Sequence, residues 1–298
     1  MRLEGTIIKG IAGFYYVEAN KTIYECKARG KFRNKNIIPV IGDNVLISLK
    51  KEENSNDRYL EGTIEEILER KNSLIRPAVA NVDQAMVVFS VSYPQLHIDL
   101  LDRFLLHIEK EDIVPYILLN KIDEGNENEY AELVERYTKI GYEVICLSAK
   151  MKINTELLMP KLQNKTTVFA GPSGVGKSTL INTIEENLKL ETGEVSDKIK
   201  RGKHTTRHVE LIPLSEGGFV LDTPGFTSLQ LEGMEANQLQ YYFPEFDAFL
   251  GSCKFRGCTH LHEPGCAVIK ALEKGEIYEE RYEAYAAYYK QLKEIRRW

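Results

Sequence analysis

The sequence predicts three structural units: an all-β barrel at the N-terminus, a central α/β domain around a mostly parallel sheet, and a mostly helical C-terminal module organised by cysteines. Three observations carry this reading. The first seventy residues are short runs rich in Ile, Val, Tyr and Thr, separated by Gly, Asn and Asp. From Lys71 onwards, apolar runs alternate with helical patterns. After Phe226 the strands stop, and Cys253, Cys258 and Cys266 crowd into fourteen residues around His260. The expected units span residues 1–70, 71–226 and 227–298, since 298 residues are long for one domain.

Composition excludes several classes. With 43% hydrophobic and 28% charged residues, the chain is expected to be globular rather than disordered. No apolar run approaches the ~20 residues that a membrane helix needs, and Glu4 interrupts the stretch that a signal peptide would keep apolar. The net charge of −5 means that a nucleic-acid partner would have to be met by a local patch. Five cysteines, three of them beside a histidine, argue for reduced thiols and a metal in the cytoplasm rather than a disulfide framework.

In the first unit, GTIIKGIAGFYYVEAN, TIYECKARG, NIIPVIGDNVLISL and YLEGTIEEIL read as strands at the spacing of a small barrel. Lys27, Arg29, Lys31, Arg33 and Lys35 alternate through KARGKFRNK, with Phe32 among them and no acid from Cys26 to Ile41. A basic, aromatic-bearing loop on a small barrel is how OB-type folds hold nucleic acid. A solvated hairpin is the competing reading.

In the second unit, DQAMVVFSVS, VPYILLNKID, YEVICLSAK, TTVFAGPSG and GFVLDTPGF are apolar runs with polar or Gly ends. HIDLLDRFLLHIEK and NEYAELVERYTKIG are helical patterns between them. Buried strands alternating with helices make a parallel sheet covered on both faces. VELIPL and GFVLDT flank Ser215–Gly218, a hairpin that adds an antiparallel edge. Ligands of such sheets bind beyond the carboxyl ends of the strands, and those ends carry the motifs.

Gly171-Pro172-Ser173-Gly174-Val175-Gly176-Lys177-Ser178 fits the phosphate-loop pattern between a strand and the helix STLINTIEENL, which begins Ser178-Thr179. Backbone N–H groups and the helix N-terminus would cradle an anion. Lys177 would reach the β and γ phosphates, and the Ser178 hydroxyl would hold magnesium. Asp222-Thr223-Pro224-Gly225 ends another strand about fifty residues later. Asp222 there suits magnesium held through water, and the Gly225 N–H suits sensing of a γ-phosphate.

Asn120-Lys121-Ile122-Asp123 would read the base. Asp123 can accept from guanine N1–H and the 2-amino group, and adenine offers neither donor. Asn120 would brace the loop, Lys121 would pack along the base, and the Ser148-Ala149-Lys150 turn would supply a backbone N–H to the guanine carbonyl. The set is that of a GTPase, in an order that places the base-reading motifs before the phosphate loop. Circular permutation explains that order, and it hangs the C-terminal unit directly from the second switch.

Phe226 stands where many GTPases place a water-orienting glutamine, so unaided hydrolysis is expected to be slow. The segment Gly202–His208 supplies the first switch: Thr205 or Thr206 would close on magnesium, and His204 would position or deprotonate water. Lys198, Lys200, Arg201 and Lys203 make that segment basic. In the third unit, Cys253, Cys258, His260 and Cys266 complete a closed tetrahedral zinc site of structural type, with His262 as the rival fourth ligand. Tyr278, Tyr282, Tyr285, Tyr288 and Tyr289 recur at helical spacing and read as packing against that module.

A barrel, then NKID, SAK, GPSGVGKS, GKHTTR and DTPGF in permuted order, then CxxxxCxHxxxxxC, together resemble the RsgA (YjeQ, YloQ) family along essentially the whole chain. The resemblance implies a GTP hydrolase activated by the 30S ribosomal subunit and acting in late 30S biogenesis. It implies GTP-gated contact with 16S rRNA, and a catalytic histidine at His204. Zinc, and magnesium with GTP or GDP, follow from the motifs themselves. A non-catalytic, guanine-nucleotide-gated RNA scaffold is the alternative, for which Phe226 is the argument. No long apolar stripe demands a second copy, so a monomer is expected.

Overall fold

The computed structural model describes residues 2–30, 32, 38–49, 60–74, 78–185, 209–222, 231 and 233–295, with Asp222 by its backbone alone. Five strands close the N-terminal barrel in the order β1-β2-β3-β5-β4: β1 (Arg2–Ile11), β2 (Phe14–Ala19), β3 (Thr22–Ala28), β4 (Asn44–Leu49) and β5 (Leu60–Ile67). All neighbours are antiparallel except β3 and β5. The alternation of side chains along a strand decides what the barrel shows to its neighbour. Ile7 points into the barrel core with Val17, Val45, Ile47 and Ile64, whereas Ile8 points outward into the core of the central domain.

Phe32 is a correction to the sequence reading. It is 6% exposed and packs inside the barrel with Val17 and Ile47, so it is no stacking platform for a base. Of the five basic residues around it, Lys27 lies over the Phe14 ring and Arg29 pairs with Glu65. Lys31, Arg33 and Lys35 lie outside the described residues.

A short hairpin, β6 (Ser73–Leu74) with β7 (Val79–Ala80), leads into a six-stranded sheet. Its order is β10-β9-β8-β11-β13-β12, from β8 (Gln84–Ser90), β9 (Val114–Asn120), β10 (Glu143–Cys146), β11 (Thr166–Ala170), β12 (Ile212–Pro213) and β13 (Phe219–Asp222). Every pair is parallel but the last, where β12 and β13 form the expected hairpin edge. The two central strands, β8 and β11, are buried at every position, as a sheet covered on both faces requires. Helices α1 (Ile98–Lys110) and α2 (Glu127–Ile140) contribute Leu101, Phe104, Leu105 and Tyr137 to the core on one face. The short α3 (Met159–Leu162) and α4 (Lys177–Ile184) contribute Leu162, Leu180 and Ile181 on the other.

Among the described residues, the C-terminal unit has two single 3-10 turns (Leu239–Tyr242 and Pro244–Phe246) and two helices, α5 (Ala267–Glu273) and α6 (Glu279–Ile295). The tyrosine stripe packs inward, as its spacing predicts: Tyr285, Tyr288 and Tyr289 are buried with Phe243 and Phe246. The Tyr282 and Tyr285 hydroxyls donate to the carbonyls of His260 and Thr259, which ties α6 to the cysteine loop.

Candidate functional site

The phosphate-loop segment runs from the end of β11 into α4, at the carboxyl edge of the sheet. Val175 anchors it in the core at 1% exposure. Lys177 Nζ donates to the carbonyls of Gly171 and Pro172, both at 2.8 Å, so its ammonium lies against the loop rather than out in solvent. Ser178 and Thr179 follow in the first turn of α4, partly buried. Ser173 and Gly174 form the exposed crest.

The Asn120–Asp123 motif sits at the end of β9, two strands away from β11, and one side chain bridges the gap. Asn120 is 2% exposed; its amide nitrogen donates to the Val175 carbonyl at 2.8 Å, and its Oδ1 accepts from Ala149 N–H at 3.0 Å. Three motifs far apart in sequence are thus held by a single amide. The same contact explains Gly176, which has φ +96°: a Cβ there would stand 2.4 Å from Asn120 Nδ2. Glycine serves the close approach of this brace as well as the turn.

Lys121 adopts a left-handed conformation (φ 66°, ψ 35°) and opens a 3-10 turn over Ile122–Glu124. That turn presents Asp123 to solvent beside the phosphate loop. The Ser148–Lys150 turn is closed on itself. Ser148, fully buried, donates its N–H to Ile153 O at 3.0 Å, and its hydroxyl accepts from Met151 N–H at 3.1 Å. The N–H groups of Ser148 and Ala149 are therefore already engaged, while Lys150 is exposed. The Thr183 hydroxyl of α4 lies 3.1 Å from Ala149 O and 2.9 Å from Thr179 O, so its one proton is shared between this turn and the phosphate-loop helix.

Asp222 ends β13, in register with Phe169 of β11, so its backbone lies at the same sheet edge as the phosphate loop. His204, Thr205, Thr206, Gly225 and Phe226 lie outside the described residues.

The cysteine cluster assembles as its spacing predicts. The ligand atoms of Cys253, Cys258, His260 and Cys266 all lie within 4.8 Å of one another. Cys253 Sγ is 3.9 Å from Cys266 Sγ, and His260 Nδ1 is 3.6 and 3.3 Å from those two sulfurs. A tetrahedral ion with metal–sulfur bonds of ~2.3 Å and metal–nitrogen bonds of ~2.0 Å requires separations of roughly 3.8 and 3.5 Å, so the donor set fits a metal such as zinc. Burial pushes the Cys258 thiol up to about 12, so it ionises at neutral pH only where a cation stabilises the thiolate.

His260 Nε2 lies 2.7 Å from Gln240 Oε1. An Nε2–H donated there leaves the Nδ1 lone pair for the metal. Backbone N–H groups of Ala267 and Ile269 point at the sulfurs of Cys253 and Cys266. His262, the rival ligand, is exposed and outside the cluster.

Sequence reasoning missed Thr183, Gln240 and the loop after β8. No sequence signal marks the first two. The third could have been found, since it ends an apolar strand next to the phosphate loop, where ligands of such sheets bind.

A family model described as RsgA GTPase matches residues 67–232, and one described as RsgA N-terminal domain matches residues 4–56. A protein of Alkaliphilus metalliredigens named small ribosomal subunit biogenesis GTPase RsgA is 50% identical over 295 residues, covering 99% of each chain. Its namesake in Caldanaerobacter subterraneus is 47% identical, covering 98% of this chain and 97% of that one. Among solved structures, YjeQ from Thermotoga maritima is 35% identical with a TM-score of 0.84, covering 98% of this chain and 99% of that one. YloQ, described as a circularly permuted GTPase, is 41% identical with a TM-score of 0.81, covering 99% and 96%. The permuted motif order, the locked base-reading brace and end-to-end relatives agree: this chain belongs to the RsgA GTPases, a family of GTP-hydrolysing enzymes.

Proposed function

We propose that this GTPase acts in biogenesis of the small ribosomal subunit, with the 30S particle as its activator and 16S rRNA as its binding surface. The observation that carries the nucleotide assignment is the Asn120 amide, which joins the phosphate loop, the base-reading turn and the Ser148–Lys150 turn into one pocket edge. The relatives' printed names support the ribosomal role.

In this reading, Asp123 accepts from guanine N1–H and the 2-amino group, and Lys121 packs along the base. A bound ATP would leave that carboxylate without donors. Backbone N–H groups of Gly171–Ser178 and the Lys177 ammonium neutralise the β and γ phosphates as water attacks in line. Ser178, Asp222 and Thr205 or Thr206 would hold magnesium, which supplies further charge neutralisation at the phosphates. Gly225 N–H senses the γ-phosphate, and His204 orients the attacking water. Zinc held by Cys253, Cys258, His260 and Cys266 is structural, since four protein donors leave no place for water. Three clusters of buried side chains, crossed only by a few residues such as Ile8 and Leu106, support a division into three units near residues 70 and 226. Among the described residues no helix is long and apolar enough to cross a membrane. The proposed location is the cytoplasm, where small ribosomal subunits are assembled, and the proposed state is a monomer.

The test is phosphate release from GTP, with ATP as control, by the protein alone and with purified 30S subunits. A slow basal rate that 30S raises strongly, absent with ATP and lost in His204→Ala, is the expected result. No change with 30S would reduce the protein to a nucleotide-gated scaffold. Full stimulated turnover in His204→Ala would remove the role given to that residue.

A further inference from the structure

The chain between β8 and α1 belongs to neither the phosphate loop nor the Asn120–Asp123 motif, yet it bonds to the second and lies beside the first. β8 ends at Ser90, which is fully buried. The Ser90 hydroxyl accepts from Ser92 N–H at 3.1 Å and lies 3.2 Å from the Ser92 hydroxyl. This small turn aims Ser92 at the base-reading side. The Ser92 hydroxyl donates to Glu124 Oε2 at 2.7 Å. Val91 N–H donates to Asn120 O at 3.0 Å, and the Tyr93 carbonyl accepts from Lys121 Nζ at 2.5 Å. On the other side, Pro94 Cδ stands 3.7 Å from the position a Cβ would take on Gly174 of the phosphate loop.

Asp123 therefore sits on a single 3-10 turn held at both ends by one loop: Lys121, just before the turn, by the Tyr93 carbonyl and Glu124, its last residue, by the Ser92 hydroxyl. Asp123 itself is exposed, so its direction is set by the turn that carries it. A carboxylate that accepts from two donors on one base edge needs both oxygens aligned. Hydrogen bonds weaken steeply once their angles fall off line, and a small rotation of the turn sacrifices one of the two.

We propose that Ser92 is a positioning residue for guanine selectivity, acting through Glu124 to hold the Asp123 carboxylate in its two-oxygen alignment. The proposal rests on the reading of Asp123 as the guanine-reading residue. It assigns Ser92 no contact with the nucleotide. The hydroxyl is needed as a donor to Glu124, and Thr supplies the same group while Ala does not.

The experiment is calorimetric binding of GDP and IDP to the full chain. Hypoxanthine keeps N1–H but lacks the 2-amino group, so it engages one carboxylate oxygen where guanine engages two. Wild type is expected to prefer GDP. Ser92→Ala is expected to weaken GDP about three- to tenfold and IDP much less, so that the preference collapses. Ser92→Thr restores the preference, and Ser92→Ala combined with Glu124→Ala is no worse than either alone. Equal weakening of GDP and IDP in Ser92→Ala, as a merely loosened fold would give, overturns the proposal, as does an unchanged ratio. If wild type shows no preference and Asp123→Ala changes nothing, the reading of Asp123 fails and takes the proposal with it. A normal wild-type preference that Asp123→Ala abolishes and Ser92→Ala leaves intact sinks the role of Ser92 alone.

Discussion

At the seam between the central domain and the barrel, the described polar contacts pair backbone with backbone or use partly buried side chains; at the seam with the C-terminal unit they run through buried side-chain charge. On the barrel side, Ala80 N–H donates to Ile41 O and Leu211 N–H to Ile8 O, both at 2.8 Å. Isolated bridges pair Ile41 with Val79 and Lys9 with Glu210. The one side-chain ion pair in that bridge, Lys9 with Glu210, is partly exposed at 28% and 43%.

On the C-terminal side, Arg281 of α6 is 2% exposed and donates to Asp102 of α1 at 2.7 Å and to Glu245 at 2.6 and 3.1 Å. The Tyr137 hydroxyl donates to the same Asp102, and Tyr288 donates to Asp99. Burial works against the Arg281 charge, but the carboxylates of Glu245 and Asp102 outweigh it and hold it protonated. Burial likewise pushes Asp102 up from the usual carboxylate range, with Arg281 and Tyr137 opposing it. Each seam is vulnerable in its own way. Backbone contacts tolerate most side chains but no intruding Cβ, whereas a buried charge network fails when one member is removed.

The sharpest way to break the contrast is Arg281→Met, which leaves Asp102 and Glu245 buried without their partner. It is expected to cost about 3–5 kcal/mol in urea unfolding, with part of the loss recovered when Asp102→Leu is added. A loss near zero would mean that water reaches those carboxylates and that the two seams are alike.

Gly42→Ala probes the backbone seam. Gly42 has φ +84°, and a Cβ there would lie 2.1 Å from Ala80 O, the residue that pairs with Ile41. Left-handed strain plus displaced strand contact should cost roughly 2–3 kcal/mol in the same measurement.

The smallest effect belongs to Lys9→Met, expected within about 0.5 kcal/mol because the pair is partly exposed. A double-mutant cycle with Glu210→Gln measures the coupling, and a coupling as large as that of Arg281 with Asp102 would erase the distinction drawn here.

These seams also mark the limits of legibility. The strands of the central sheet were readable because burial on both faces makes each a continuous apolar run, as in QAMVVFS and TTVFA. The cysteine cluster was readable because its four donors fall within fourteen residues, so the choice of His260 over His262 could be made from spacing. Phe32 was misread because a side chain in a basic run looks exposed until the barrel that buries it is known. Gln240 behind His260 carries no pattern, since it reaches the ring through one hydrogen bond across the fold, whereas the loop that holds Ser92 is marked by its place at the end of an apolar strand.

Local patterns are written in the sequence: a GxxxxGKS loop with its glycines, an NKID motif ahead of it, three cysteines and a histidine that come together, and the periodicities that build barrel, sheet and helices. Those features depend on residues a few positions apart, where covalent geometry dictates what can meet. Only the tertiary structure decided that one Asn120 amide would lock three motifs together, that Ile8 would serve a core other than that of its own barrel, and that Arg281 would find Asp102 across 179 positions. Such contacts join residues whose spacing along the chain says nothing of their distance, and burial then sets their strength.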